Sequence, residues 1–211
     1  SQVFGIPALF LRNGIDVSAY KTKISSRSNK LEILCMGKLQ RWHGYDRVID
    51  GVIQYKEENN VVPFRINILG DGDVRNALIE QATKAGVSEY FNFPGIVVGE
   101  ELDAYFDKCG FAFESLGLHR LNLTYSSTLK SREYLARGIP FVYSLPIPGI
   151  DESCDYCLQI EANESPVDFE KVLQWYQNIE NNCGERMRQY AFENYSWESQ
   201  FGIMLRTLGI E

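Results

Sequence analysis

Two short stretches of the sequence combine cations with small or hydroxyl-bearing residues, and both follow apolar segments. The first stretch, 37–44, carries Lys38, Arg41 and His43 beside its glycines. The second contains hydroxyls followed by two cations: Tyr125, Ser126, Ser127, Thr128, Lys130 and Arg132. A helix that begins in the second stretch would add free backbone N–H groups, which attract anions. Together the stretches predict a site for a phosphate or diphosphate, although solvation alone would explain any single one of these cations.

Two glycine-containing turns add to this set. Gly70-Asp71-Gly72 follows one apolar run, and Phe93-Pro94-Gly95 follows another. Bare backbone at Gly70 and Gly72 would let a phosphate or sugar approach closely, but a tight turn explains the same glycines without a ligand. The third glycine of the dinucleotide fingerprint is missing, and so is a P-loop. The glycines therefore support a phosphate site only weakly by themselves.

Glu133 is the acidic residue to which the sequence points most directly. It lies three residues after Lys130 near a predicted helix start, where a carboxylate can accept hydrogen bonds from both hydroxyls of a ribose. Interaction of a first-turn acid with the helix dipole is the simpler alternative. The only histidines, His43 and His119, are too few and too far apart for a metal site or a catalytic triad.

The five cysteines are scattered, and only Cys154 and Cys157 form a C-x-x-C pair. No second pair completes a four-ligand zinc site. Asp151, Glu152 and Asp155 surround the pair, and neighbouring negative charge disfavours the thiolate that redox chemistry needs. The sequence therefore predicts structural thiols and no metal.

Composition narrows the range of partners. The 211 residues include 21 Lys and Arg against 28 Asp and Glu, a net charge of −7, so a chain-wide footprint for nucleic acid is missing. With 45% hydrophobic residues the chain can form a sizeable core. No apolar run approaches the roughly 18 residues of a membrane span, and no secretory signal is recognisable. We expect a cytoplasmic protein with no transmembrane segment and no nucleic-acid partner.

Short apolar strands alternate with amphipathic helices along most of the sequence. The predicted strands are 31–36, 64–69, 90–93, 111–113, 139–143 and 157–160. The predicted helices are 45–59, 74–85, 100–108, 126–137, 168–180, 184–194 and one that begins after Ser196 as its N-cap.

This alternation predicts an α/β fold, a Rossmann-like doubly wound parallel sheet of about six strands with helices on both faces and a helical C-terminus. Residues 31–211 form the predicted domain, and 1–30 a polar linker or connecting segment. Ligands of such sheets bind outside the carboxyl ends of the strands, near the point where the strand order reverses. The loops that begin at 37, 70, 93 and 114 all lie at this edge.

Several of these motifs, in this order, are familiar: Gly37-Lys38-Leu39 with His43-Gly44, Ile68 to Gly72 with Arg75, Phe93-Pro94-Gly95, and Glu133 to Pro140. They resemble the donor-binding, C-terminal half of GT-B glycosyltransferases of the retaining family four. The resemblance spans nearly the whole chain. The resemblance implies an acceptor-binding N-terminal domain that is not part of this chain. The chain alone is therefore expected to be inactive.

The resemblance implies a nucleotide-sugar donor and transfer of a hexose-type sugar, with retention, to a glycan or glycoconjugate acceptor, as in bacterial polysaccharide biosynthesis. The loop at 37–44 and the helix start at 125–130 would hold the diphosphate, the base would lie near Phe93 to Ile96, and Glu133 would bind the ribose. Basic side chains and the helix dipole would replace a metal, and no nucleophile is assigned. The missing domain would allow peripheral contact with the inner membrane.

A non-catalytic nucleotide-binding or interaction module is the alternative. His43 and Tyr125 occupy positions where the family usually has a charged residue, a lysine and a glutamate, and no Glu lies between Ser115 and Arg132. The family's glutamate normally contacts the donor sugar. An epimerase on the same fold would need an acid and a base carboxylate that the sequence does not locate.

Overall fold

The computed structural model places most of the chain. It describes residues 2–3, 5–9, 11–23, 30–59, 62–150, 154–180 and 182–210. Residues 24–29 of the predicted linker, and Asp151 and Glu152, lie outside the described residues. None of the helices in the described part of the chain is both long and apolar enough to cross a lipid bilayer.

Six parallel strands form the central sheet. They are β3 (Leu31–Met36), β4 (Phe64–Leu69), β5 (Phe91–Gly95), β6 (Cys109–Phe113), β7 (Phe141–Tyr143) and β8 (Cys157–Gln159), preceded by a two-stranded hairpin of β1 (Gln2–Val3) and β2 (Ile6–Pro7). The order across the sheet is β5-β4-β3-β6-β7-β8, and every neighbouring pair is parallel. The predicted doubly wound Rossmann-like sheet is confirmed.

Seven helices cover the sheet or follow it. They are α1 (Tyr45–Asn59), α2 (Arg75–Lys84), α3 (Gly99–Lys108), α4 (Leu129–Arg137), α5 (Phe169–Gln177), α6 (Cys183–Tyr195) and α7 (Trp197–Leu208) among the described residues. Side chains of α1, α2 and α5 enter one hydrophobic core, and those of α3, α4 and α6 enter a second core on the opposite face. In β3, Ile33 and Cys35 belong to the first core and Leu34 to the second, as the alternation of side chains along a strand requires.

Part of the predicted linker, around Ile15 and Val17, packs into the domain. Ile15 and Val17 are each only 5% exposed and belong to the second core. The Ile15 N–H donates to the Tyr195 carbonyl at 2.8 Å, and Ile15 forms a parallel bridge with Ser196 at the junction of α6 and α7. The part of the chain around Ile15 therefore belongs structurally to the domain.

Two boundaries differ from the sequence prediction for local reasons. Helix α4 begins at Leu129 rather than at Ser126, because the Ser126 N–H donates to the Pro146 carbonyl and Thr128 keeps an extended backbone as the N-cap. Strand β5 continues through Pro94, which was predicted as a turn. Because β5 is an edge strand, a residue without an N–H is tolerated there.

Candidate functional site

The strand order reverses between β3 and β6, and the two loops that leave these strands are joined there. The Leu116 N–H donates to the His43 carbonyl at 2.8 Å, and the Gly117 N–H donates to the Trp42 carbonyl at 3.2 Å. The carboxyl ends of strands at such a reversal, which we call the switch point, form the ligand crevice of open α/β sheets. The predicted stretch at 37–44 therefore meets the loop that leads into α4.

A buried polar cluster lies at the switch point. Lys130, in the first turn of α4, donates to the Ser115 hydroxyl at 2.9 Å and lies 3.4 Å from the Tyr45 hydroxyl. The Glu114 side chain is fully buried and accepts hydrogen bonds from the Ser115 N–H and the Thr128 hydroxyl. Three segments carry these side chains and converge here: the end of β6, the start of α1 and the start of α4. The cluster can present an ammonium group, hydroxyls and a helix N-terminus to an anion.

Burial controls the electrostatics of Lys130. It lowers the pKa of the ammonium group, and the Glu114 carboxylate acts in the opposite direction. The Lys130 ammonium also lies 5.6 Å from the centre of the Tyr45 ring. The electrostatic attraction between a desolvated cation and a bound anion is stronger than that of an exposed cation, because the surrounding dielectric constant is lower.

His43 is held neutral in this site. It is buried, and its pKa is lowered to about 3, mainly by burial and to a smaller extent by the nearby charge of Lys130. The Gln40 N–H donates to His43 Nδ1 at 3.2 Å, and a Cβ on Gly37 would contact Nε2 at 2.7 Å. His43 therefore positions the loop and does not supply the positive charge that was predicted for it.

The lowered pKa of His43 predicts a pH-dependent stability. The His43 imidazole is protonated near pH 6.5 in the unfolded state and near pH 3 in the folded state. Its contribution to the free energy of unfolding is therefore complete above pH 6.5 and falls as the pH decreases toward 3. The free energy of unfolding is expected to decrease by up to about 1.4 kcal/mol per pH unit between pH 6 and 5. Urea unfolding of the chain and of His43→Gln measures it. An unchanged slope in His43→Gln would exclude this residue as the cause.

A cavity of about 550 Å³ opens beside the cluster, within the range of small-molecule sites. It is lined by Met36, Gly37, Lys38, Leu69, Gly70, Asp71, Gly72, Ile96, Val97 and Leu102. The residues come from the loops after β3, β4 and β5 and from α3. Lys38 is the exposed cation among these lining residues.

Gly70 and Gly72 are required by the backbone itself. A Cβ on Gly70 would overlap the Gly37 carbonyl oxygen, and one on Gly72 would overlap the Leu39 carbonyl oxygen. Both have φ in the positive region, +117° and +155°. Close packing of the β4 loop on the β3 loop explains these glycines, and the same packing leaves their backbone at the cavity wall.

The loop predicted at Phe93-Pro94-Gly95 reaches the cavity through the residues that follow it rather than through Phe93. Phe93 packs against the first core and stacks with Phe91, with ring centres 6.1 Å apart. The Gly95 carbonyl accepts a hydrogen bond from the Gly70 N–H at 2.6 Å. Ile96 and Val97, one and two residues further on, form the cavity wall. A base predicted near Phe93 to Ile96 would therefore contact the end of this segment rather than the Phe93 ring.

Glu133 lies in the middle of α4 on the side that faces α3. Its carboxylate accepts a hydrogen bond from Arg137 Nε at 2.9 Å, and Arg137 also binds Asp103 of α3 at 2.8 Å. The side chain of Glu133 is 16% exposed, so one oxygen can face a ligand only where α3 and α4 separate. Leu102, the neighbour of Asp103, lines the cavity.

The remaining predicted residues lie around this centre. Tyr125 is 51% exposed on the loop before α4, and Arg41 is exposed. The Ser127 carbonyl accepts a hydrogen bond from the Asn13 amide at 2.7 Å. Arg132 is fully buried, with its guanidinium 3.6 Å from the centre of the Tyr195 ring. It therefore does not add to the crevice surface the positive charge that the sequence predicted.

Glu114 was missed by reasoning from sequence. A carboxylate was sought eight positions before Glu133, at Tyr125, whereas the fold brings Glu114 to the start of α4 through a long loop. The available signal was its position directly after β6, because the last residues of parallel strands point to the crevice. No group of three or more His, Cys, Asp or Glu side chains suited to a metal ion occurs within the described ranges.

The fold is similar to those of solved glycosyltransferase structures. A TarM variant of S. aureus in complex with fondaparinux, alpha-GlcNAc-glycerol and UDP has a TM-score of 0.71 at 16% identity, over 98% of this chain and 40% of that chain. HepE of Anabaena in complex with UDP-glucose has a TM-score of 0.68 at 16% identity, over 95% and 57%. The sucrose-phosphate synthase of Thermosynechococcus elongatus has a TM-score of 0.67 at 15% identity, over 94% and 52%.

These likenesses establish the architecture. The fold is that of a GT-B half-domain. The chain spans 40% to 57% of the length of these three neighbours. No protein-family model matches the sequence, and no curated protein matches it by sequence.

Proposed function

We propose that the chain is the donor-binding half of a glycosyltransferase and binds a nucleotide-sugar at the switch point. The observation that carries the proposal is the convergence of Lys130, Thr128 and Glu114 with Tyr45 where β3 and β6 end. The diphosphate lies between the α4 N-terminus and the loop with Lys38. The nucleoside occupies the cavity of about 550 Å³ beside it.

The finer parts of the proposal follow from the motif resemblance. The donor sugar is of the hexose type and is transferred with retention to a glycan or glycoconjugate acceptor. An acceptor-binding N-terminal domain of the same protein completes the cleft, and no metal takes part. The structures of TarM and HepE contain UDP or UDP-glucose, so a uridine diphosphate donor is the first candidate.

Titration calorimetry tests this proposal. UDP, GDP and ADP are compared with their nucleosides and with UDP-glucose on the chain as it stands. We expect one diphosphate to bind at least tenfold more tightly than its nucleoside, because the phosphates contact charged and dipolar groups. Equal affinities for a diphosphate and its nucleoside, or no binding of any diphosphate, would contradict the proposal.

A non-catalytic nucleotide-binding module is the second candidate, and the state of Glu114 favours it. The side chain is fully buried, and both carboxylate oxygens already accept hydrogen bonds from Thr128 and Ser115. A donor half needs a free polar group for the sugar. If the second candidate is correct, UDP-glucose binds no more tightly than UDP, and Glu114→Gln changes the two affinities equally. If the first is correct, UDP-glucose binds more tightly than UDP, because the sugar makes contacts of its own.

Glu133 provides a further prediction. Glu133→Gln is expected to lower ribonucleotide affinity about tenfold, or about 1.4 kcal/mol, and to leave the dideoxynucleotide affinity unchanged, because the ribose hydroxyls are the only groups of the nucleotide that contact the carboxylate. Asp103→Asn is the matched control, since it removes the other carboxylate that binds Arg137 at 2.8 Å. Calorimetry with both nucleotides measures the effect. Equal losses for the two nucleotides, or a similar loss in Asp103→Asn, would remove Glu133 from the ribose site.

A further inference from the structure

Cys154 and Cys157 lie in a turn that leads into β8, in a part of the molecule that the proposed donor site does not use. The Cys157 N–H donates to the Cys154 carbonyl at 3.2 Å, which closes the turn. The C-x-x-C pair is therefore held within a single closed turn of the folded chain.

One of the acidic residues beside the pair, Asp155, has a basic partner. The Asp155 carboxylate, which lies between the two cysteines in sequence, binds Arg186 of α6 at 2.6 Å. Hydrogen bonding from the Cys157 thiol lowers the pKa of Cys154, although Asp155 opposes this. The sequence argument counted Asp151, Glu152 and Asp155 against a thiolate and so predicted structural thiols. Asp155 does oppose the Cys154 thiolate, as that argument holds, but hydrogen bonding from Cys157 has the larger effect and lowers the pKa of Cys154.

Access to the two sulfur atoms is unequal. Cys154 is partly exposed and lines an open cavity of about 700 Å³ with Tyr156, Arg186 and Tyr190. Cys157 is 8% exposed, and burial raises its pKa. An accessible thiol with a lowered pKa next to a buried thiol is the arrangement of an attacking and a resolving cysteine.

We infer that Cys154 and Cys157 form a thiol–disulfide exchange site that takes a low-molecular-weight disulfide as its substrate. The Cys154 thiolate attacks one sulfur of the disulfide, which releases one small thiolate and leaves a mixed disulfide on Cys154. The Cys157 thiol then loses its proton, and its sulfur attacks Cys154 Sγ and releases the second small thiolate. Two protein thiols are oxidised, and one small disulfide is reduced to two thiols, each of which takes up one proton.

Other cysteines do not offer the same combination. Cys35 and Cys109 are buried, and burial raises the pKa of each. Cys183 on α6 is partly exposed, but burial also raises its pKa. It lies close enough to Cys157 to affect that residue electrostatically, so it is the competing partner that an experiment must exclude.

The test uses the reduced chain in mixtures of reduced and oxidised glutathione at pH 7. Samples are quenched in acid, the free thiols are alkylated, and intact and peptide masses are recorded. We expect the chain to lose two thiols together and to yield a peptide that links Cys154 to Cys157. Cys157→Ser is expected to accumulate a glutathione adduct on Cys154. In Cys154→Ser the thiol of Cys157 is expected to react at least about tenfold more slowly than Cys154 does in Cys157→Ser, because Cys157 is buried.

Cys183→Ser is the matched control and is expected to behave like the unaltered chain. Thermal melting of each reduced variant verifies that it folds. Pairing of Cys157 with Cys183, equal reaction of Cys154 and Cys157 in the single variants, a persistent adduct in the unaltered chain, or no loss of thiols would each overturn the inference. None of these results depends on nucleotide binding, so the exchange site and the donor site are tested separately.

Discussion

Lys130→Met is expected to lower the affinity for a nucleoside diphosphate about 10- to 100-fold and to leave the affinity for the nucleoside nearly unchanged. A charge-assisted contact with a phosphate contributes about 1.5–3 kcal/mol, and Lys130 makes its contact from a desolvated position. Its present partners are hydroxyl groups, at 2.9 Å on Ser115 and 3.4 Å on Tyr45. These groups compete with a phosphate less than a carboxylate partner would.

Two further lysines calibrate this result. Lys38→Met removes an exposed cation at the cavity and is expected to cause a smaller loss, because solvent screens its interaction. Lys108→Met, at the end of α3 and away from the switch point, is expected to change nothing. Calorimetry with the diphosphate and the nucleoside measures all three variants. A Lys130→Met affinity equal to that of Lys108→Met would place Lys130 outside the phosphate site.

Gly70→Ala is expected to destabilise the chain by about 2–5 kcal/mol. The substitution combines a positive φ of +117° with overlap between the new Cβ and the Gly37 carbonyl oxygen, so the loops after β3 and β4 must separate. The Gly37 N–H donates to Leu69 O at 3.1 Å and the Leu39 N–H donates to Asp71 O at 2.8 Å. Separation weakens both bonds and disrupts the cavity wall as well.

Gly86→Ala is the matched control for the backbone strain. Gly86 also has a positive φ, +66°, but a Cβ there would meet no atom within 4 Å. We expect a cost of about 1 kcal/mol, from the left-handed backbone conformation alone. Urea unfolding measures both variants. A loss for Gly70→Ala no larger than that for Gly86→Ala would contradict the close packing of the two loops.

The architecture was predictable because local patterns and the tertiary fold agree. The runs 31–36 and 64–69 are short and rich in branched apolar residues, as strands of a sheet covered by helices are, and both match the observed bounds of β3 and β4. Ser196 was predicted as an N-cap, and its hydroxyl accepts a hydrogen bond from the Ser199 N–H at 3.1 Å. Boundaries failed where tertiary contacts intervened, as at Ser126, whose N–H binds the Pro146 carbonyl.

The site was less predictable because its charges depend on burial. Lys130 was predicted from the sequence and lies at the switch point. His43 was predicted as a cation, but desolvation keeps it neutral, which residue type alone does not reveal. Glu114 was overlooked because sequence spacing does not show which residues a long loop brings together. The ion pair between Asp155 and Arg186 was not predictable, because Arg186 lies on a different element.

Hydrogen exchange of the chain with and without UDP tests the central claim most directly, because it reports where a nucleoside diphosphate binds. The account predicts slower exchange on binding in three regions: 37–44, 70–72 and 115–130. Each contains backbone N–H groups at the carboxyl ends of the strands. Exchange in the turn at 154–157 and in α6 is expected to remain unchanged. Slowing confined to 154–157 and α6, or no slowing with UDP, GDP or ADP at concentrations far above those of the chain, would contradict a donor site at the switch point.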